Sequence, residues 1–248
     1  MKVYVKQNKE EIGSFAAKKA AERLNASISE NGEARLILAT GESQFEVVKA
    51  LRQEDVDWSK VTMFHLDEYV GLPETHIASF RKYLKERFAN YVPLKAAHYV
   101  NGEGDVKANI AELTSLLREA PIDVAMVGIG ENGHIAFNDP PADFDTDEAY
   151  IVVNLDYKCR MQQVGEGWFD TVDDVPSQAI SMTVKQILEA KCIICSVPGA
   201  KKIKAVHDTL TTEGVTNMIP ATALKNHDCC ILILDELSAS GTPEEYLK

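Results

Sequence analysis

Short apolar runs set between amphipathic helical stretches are what most constrain the fold of this chain. Ala34–Ala39, Val61–Phe64, Val124–Val127, residues 191–197 and Ile231–Leu234 are each four to seven residues long and dominated by apolar side chains, as in strands buried on both faces. Residues 2–5 alternate as a further strand, and Ala149–Leu155 and Ala179–Thr183 add two more. Lys9–Ser29 carries Ile12, Phe15, Ala16, Ala20 and Leu24 at helical spacing. Helices are also predicted over Gln44–Arg52, 79–90, Val106–Arg118, Val184–Glu189, from Lys201 to about Leu210, and over Pro220–Asn226. Alternation with short connections and no charged linker predicts a single α/β domain over residues 1–248, a mostly parallel open sheet with helices on both faces, Rossmann-like. Asp156–Pro176 lacks either period. It is predicted to be an irregular binding loop or lid, kept ordered by Trp168 and Phe169.

Charge narrows the partners. A formal net charge of −12 offers no basic surplus for a nucleic-acid backbone, so no nucleic-acid partner is expected. No run of about 18 apolar residues occurs and the first residues lack a signal-like core, so no membrane association and a cytoplasmic location are expected. Five cysteines, an odd number, fit reduced thiols better than a disulfide framework. Cys192-Ile-Ile-Cys195 has the spacing of a redox or zinc motif but lies within an apolar strand, and Cys229-Cys230 opens another. Both pairs are read as core.

The chemistry concentrates where strands end. Val124–Val127 breaks at Gly128, Gly130 and Gly133 before delivering His134, flanked by Asn132 and Asp139. Strand ends in open α/β sheets are ligand sites, glycines admit a close backbone approach, and a histidine titrates near neutral pH. Ala34–Ala39 runs into Thr40-Gly41-Glu42-Ser43 and a helix start, a short anion cradle lacking a Walker ending. Val61–Phe64 leads to Asp67 and Glu68, carboxylates that either face solvent or serve a site. Ser79 is the expected N-cap of a helix whose Arg81, Lys82, Lys85 and Arg87 would form an exposed basic face. Residues 191–197 lead through Pro198-Gly199-Ala200 to Lys201 at a helix start.

Phe64-His-Leu-Asp-Glu-Tyr-Val-Gly-Leu72 and Gly130-Glu-Asn-Gly-His-Ile-Ala-Phe-Asn138 resemble the glucosamine-6-phosphate deaminase/isomerase family. Ala39-Thr-Gly41, Asn101-Gly102, Val175-Pro176 and Gly199-Ala-Lys201 extend the likeness in the family's order over nearly the whole chain. The related 6-phosphogluconolactonases share the fold, but their histidine is typically followed by Thr-Ala-Ser. The resemblance implies conversion of glucosamine 6-phosphate to fructose 6-phosphate and ammonia. Asp67 would move the C2 proton to C1, and His134 would open the sugar ring, oriented by Asn132 and Asp139. Thr40, Gly41, Ser43, Glu68, Gly133, Arg160 and Lys201 would bind substrate. Neither a cofactor nor a metal is expected, and homo-oligomers are known among relatives.

Three departures keep other readings open. Asp139 stands where the family usually has Glu. Glu42 replaces a hydroxyl residue beside the expected phosphate, and like charges about 5 Å apart at an effective dielectric near 20 repel by roughly 3 kcal/mol. An arginine of the family is absent, Gly165-Glu-Gly-Trp-Phe169 standing in its place. The alternatives are an enzyme for another hexosamine derivative and a non-catalytic sugar-phosphate sensor.

Overall fold

A computed structural model describes residues 1–247. Ten strands and eight α-helices follow in chain order: β1 Lys2–Lys6, α1 Lys9–Asn31, β2 Ala34–Leu38, α2 Phe45–Leu51, β3 Val61–His65, β4 Asp67–Tyr69, α3 Phe80–Leu84, β5 Ala96–His98, α4 Val106–Leu117, β6 Val124–Val127, β7 Tyr150–Asn154, α5 Tyr157–Gly165, β8 Gln178–Met182, α6 Val184–Leu188, β9 Cys192–Val197, α7 Ile203–Thr211, β10 Cys230–Asp235 and α8 Glu236–Ala239.

Seven strands form an all-parallel sheet in the order β1-β10-β9-β6-β2-β3-β5. Their uninterrupted apolar character follows from burial on both faces. Alternate residues serve opposite sides: Leu36, Leu38, Met63 and Met126 pack with Ala16, Ala20 and Leu24 of α1, whereas Ile37, Phe64 and Val127 pack with Leu113 of α4 and Val206 of α7. Helices cover both faces, as the alternation predicts.

The strand order fixes where a ligand can sit. From β2 the chain proceeds to β3 and β5 on one side, and from β6 it proceeds to β9 and β10 on the other, yet β2 and β6 are neighbours. Their following loops diverge and leave a crevice at their carboxyl ends, the topological switch point of an open sheet.

A second, antiparallel sheet, β4-β8-β7, departs from the expectation of one sheet. From Ile151 to Asn154 of β7, half-buried and exposed positions alternate, the pattern of a sheet with one wet face. Two further corrections are local. Residues 79–90 form α3 and then a wider π turn, Lys85–Ala89, and Arg81 is buried instead of lying on an exposed basic face. Asp156–Pro176 is not irregular throughout, because Asp156 accepts from the Cys159 N–H at 2.6 Å and caps α5.

Candidate active site

A cleft of about 300 Å³ opens at the switch point, lined by the loops after β2, β6 and β9 together with β4 and α5. Gly128 makes it possible for two of those loops to touch, since a Cβ there would stand 2.8 Å from Ser43 Oγ. Thr40, Gly41, Ser43, Asp67, His134 and Lys201 all line the cleft, so the topology gathers residues that the sequence holds far apart.

The loop after β6 is tightly determined. Gly133, at φ 85°, closes a turn in which its N–H donates to the Gly130 carbonyl at 3.0 Å, and Gly130 N–H donates to the His134 carbonyl at 2.9 Å. The imidazole lies against Gly130, where a Cβ would be 2.1 Å from Nε2. His134 Nδ1 is 2.8 Å from Asp139 Oδ1, which also accepts from Asn132 Nδ2 at 2.8 Å. Asn132 Oδ1 in turn accepts from the His134 N–H at 3.1 Å. Burial disfavours the ionised Asp139, but hydrogen bonds from His134 and Asn132 oppose it and hold the carboxyl below its ordinary value. An ionised Asp139 fixes the proton of a neutral His134 on Nδ1 and leaves Nε2 free to exchange one with a ligand. Gly133 serves this turn and does not line the cleft.

Asp67 has the opposite environment. Its carboxylate is buried, lines the cleft and receives no hydrogen bond from the described residues. Desolvation, reinforced by the Glu68 charge, pushes it up to about 8. Its backbone pairs with Ser181 of β8. Ser181 Oγ also accepts from Phe137 N–H at 3.0 Å and from Asn138 Nδ2 at 3.2 Å, so one residue ties β4 to the loop carrying His134. The small antiparallel sheet therefore sets Asp67 beside the loop that carries His134.

Glu68 lies away from the cleft, contrary to the expected substrate contact. It is fully buried and accepts from Tyr69 N–H at 3.0 Å, Ser79 Oγ at 2.9 Å, Phe80 N–H at 3.2 Å and Arg81 N–H at 2.9 Å. Its carboxylate also pairs with Arg81 Nε at 3.3 Å. Desolvation raises its pKa, with these N–H and O–H donors pulling the other way. Such a dense donor set leaves no lone pair for a ligand; Glu68 anchors the segment before α3 beside Asp67.

Arg160 is also outside the cleft. Helical spacing on α5 and its following turn puts Gln162, Gln163 and Glu166 toward the cavity, and Arg160 on another face donates to the Val172 carbonyl. Lys202 is the cation that the sequence reading missed. Gly41 at φ 91° and Gly199 at φ 93° each start a 3₁₀ turn that runs into a helix, and the third residue after each glycine, Gln44 or Lys202, turns inward. Equating the two turns would have picked out Lys202. It lines the cleft half-buried, whereas Lys201 is exposed at the rim. Burial lowers the pKa of Lys202, opposed by the charges of Glu166, Glu131 and Glu42. No carboxylate of the described residues comes within 4.0 Å of its ammonium. Glu166 is held in place by Gln162 Nε2 at 2.7 Å and Trp168 Nε1 at 3.1 Å.

With this geometry in hand, relatives are informative. Glucosamine-6-phosphate deaminase of Streptococcus suis is 39% identical over 242 residues, 97% of this chain and 99% of that protein. The Streptococcus sanguinis protein of the same name is 38% identical over 241 residues, 97% and 98% of the two chains. The solved structure of a monomeric glucosamine-6-phosphate deaminase superposes with a TM-score of 0.89 at 29% identity, covering 97% of this chain and all of that one. A 6-phosphogluconolactonase from Thermotoga maritima, 15% identical with a TM-score of 0.77 over 94% of this chain and 99% of its own, shares the fold. The family model of glucosamine-6-phosphate isomerases and 6-phosphogluconolactonases matches residues 7–232, and the chain belongs to that family.

Proposed function

We propose that the chain isomerises and deaminates an amino-sugar phosphate, converting glucosamine 6-phosphate and water to fructose 6-phosphate and ammonia. The observation that carries this reading is a bare, desolvated Asp67 facing the same cleft as a carboxylate-oriented His134. His134 Nε2 accepts the proton of the C1 hydroxyl and returns it to the ring oxygen, opening the sugar to an aldehyde. Asp67 takes the C2 proton, which the adjacent carbonyl acidifies, while the substrate's ammonium gives a proton to O1, and Asp67 then delivers its proton to C1 of the resulting enol-amine. An imine remains at C2, and its hydrolysis by water gives the ketone and releases ammonia. Ring opening and the C2-to-C1 isomerisation are proton transfers to or from a positioned group, each worth typically about 10²–10⁴-fold. Ester hydrolysis, by contrast, leaves Asp67 without a task. Lys202 and the amides of the Gly41 and Gly199 turns would hold the phosphate.

The acidic neighbours of Lys202 favour one second reading, a hexosamine with a less anionic terminal group. Lys201 and Lys202 face Glu42, Glu131 and Glu166 across one cleft, and a phosphate adds about −1.5 to −2 charges at pH 7. Glucosamine 6-phosphate and glucosamine supplied side by side, with ammonium and ketose both measured, test these readings. Equimolar ammonium and fructose 6-phosphate from the phosphate ester support the first. Turnover of free glucosamine with a higher kcat/KM replaces it with the second. Ligand-dependent thermal stabilisation with no ammonium from either would leave a sensor.

A further inference from the structure

A third side chain stands beside the histidine and its carboxylate. Cys159 lies on the first turn of α5 and is buried, and donor atoms of His134, Asp139 and Cys159 all fall within 4.8 Å of one another. The proton transfers proposed above make no use of the thiol. The other four cysteines belong to β9 and to β10 with the residue before it.

We propose that His134, Asp139 and Cys159 bind a thiophilic divalent cation of the Zn²⁺ class, and that its binding switches the enzyme off by occupying His134 and the carboxylate that orients it. Imidazole nitrogen, carboxylate oxygen and thiolate sulfur are the three donor types that zinc accepts. Bonds of about 2.0–2.3 Å in a tetrahedron place donor atoms roughly 3.3–3.6 Å apart, so closure of the trio by about 1 Å completes the geometry. Asp139 has an oxygen to give: Oδ1 serves His134 and Asn132, while Oδ2 is buried without a partner among the described residues.

Charge balance also selects a divalent ion. The trio offers one imidazole, one carboxylate and one thiol to an ion. On binding, the thiol proton leaves to solvent, and two anionic donors neutralise the 2+ ion in a site of low polarity. A route exists through a groove that adjoins the substrate cleft and shares Glu131, Gln162 and Lys201 with it. Cys159 lines this groove of about 710 Å³ together with Asn132 and Gly133, while His134 lines the cleft. The fourth position would take water. Sequence alone does not suggest this set, because 25 positions separate His134 from Cys159 and the capped α5 brings them together.

The inhibitory consequence rests on the deaminase reading, while the binding site does not, and the test separates them. Chelator-buffered Zn²⁺ added to the full chain should abolish ammonia release reversibly, with one metal bound and one proton released per chain. Co²⁺ should produce a thiolate-to-cobalt charge-transfer band. Cys159→Ser should retain turnover, lose the band and weaken inhibition by at least about 100-fold; Cys159→Ala provides the same test should the serine variant fold poorly. Inhibition unchanged in both variants, or a band that survives in them and disappears in Cys229→Ser, would overturn the proposal. A band without deaminase turnover in the wild type would leave the site standing and remove the function assigned to it.

Discussion

The two ends of the cleft are built on different principles. Around Asp67 and His134, hydrogen bonds fix the supporting segments and the imidazole: Glu68 locks the segment beside Asp67, Asp139 and Asn132 lock the imidazole, and Ser181 joins β4 to the loop carrying His134. At Lys202 the ammonium has no direct carboxylate partner among the described residues and instead feels Glu166, Glu131 and Glu42 at longer range. The first end specifies geometry, which chemistry at a reacting carbon requires. The second specifies a field, which sets how strongly a charged tail is held. Substitutions at the first should therefore act on kcat, and substitutions at the second on KM.

The largest effect is expected from Asp67→Asn, which should lower kcat by about 10²–10⁴-fold while leaving substrate-induced thermal stabilisation in place. It should also stabilise the fold. Asp67 titrates at about 8 when folded against an ordinary 3.8, so between those values the folded chain retains a proton that the unfolded chain has shed. Stability consequently falls as pH rises through that window, and Asp67→Asn removes the fall. Melting curves at pH 5 and pH 9 should show a wild-type deficit that grows with pH, at about 2–4 °C per kcal/mol for a chain of this size. In the wild type, kcat/KM should rise with pH toward about 8 as the base ionises. A flat profile below pH 8 would contradict the assignment of Asp67 as the base.

Asp139→Asn comes next. It keeps the shape but removes the charge that fixes the His134 tautomer, and a kcat reduced by about 10–100-fold with little change in KM is expected. At the other end, Lys202→Ala should raise KM for glucosamine 6-phosphate by about 10–100-fold, the worth of a charge-assisted hydrogen bond, with kcat nearly retained. A larger effect from Lys201→Ala would reverse the ranking of the two cations. The smallest expected change has the opposite sign: combining Glu42→Ser with Glu166→Gln should lower KM several-fold by removing like charge. Were KM to rise instead, the glutamates would be contacts to the substrate and the less anionic hexosamine would be favoured.

The end of the cleft that holds Asp67 and His134 was largely legible from sequence, because a glycine-broken strand end carrying Asn132, His134 and Asp139 is a local pattern, and Asp67 sits just past another strand. The parallel sheet was legible for the same reason, its strands being continuous apolar runs. What escaped depends on contacts between distant segments. Glu68 looked like a site carboxylate until folding brought Ser79, Phe80 and Arg81 to it, and that ion pair also took Arg81 off the surface. Arg160 was displaced by the single helical period of α5. Lys201 and Lys202 are adjacent, and only the 3₁₀ turn after Gly199 decides which one turns inward. The second sheet went unforeseen because the three-residue β4 is too short to carry a period of its own.

The central claim is that Asp67 carries the C2 proton of glucosamine 6-phosphate to C1. Ammonia release from substrate deuterated at C2 tests it directly, with the fructose 6-phosphate examined for label. A primary isotope effect on kcat/KM, some deuterium recovered at C1, and loss of both label transfer and turnover in Asp67→Asn are the predicted results. Ammonia release that is insensitive to deuterium and persists in Asp67→Asn would contradict the account.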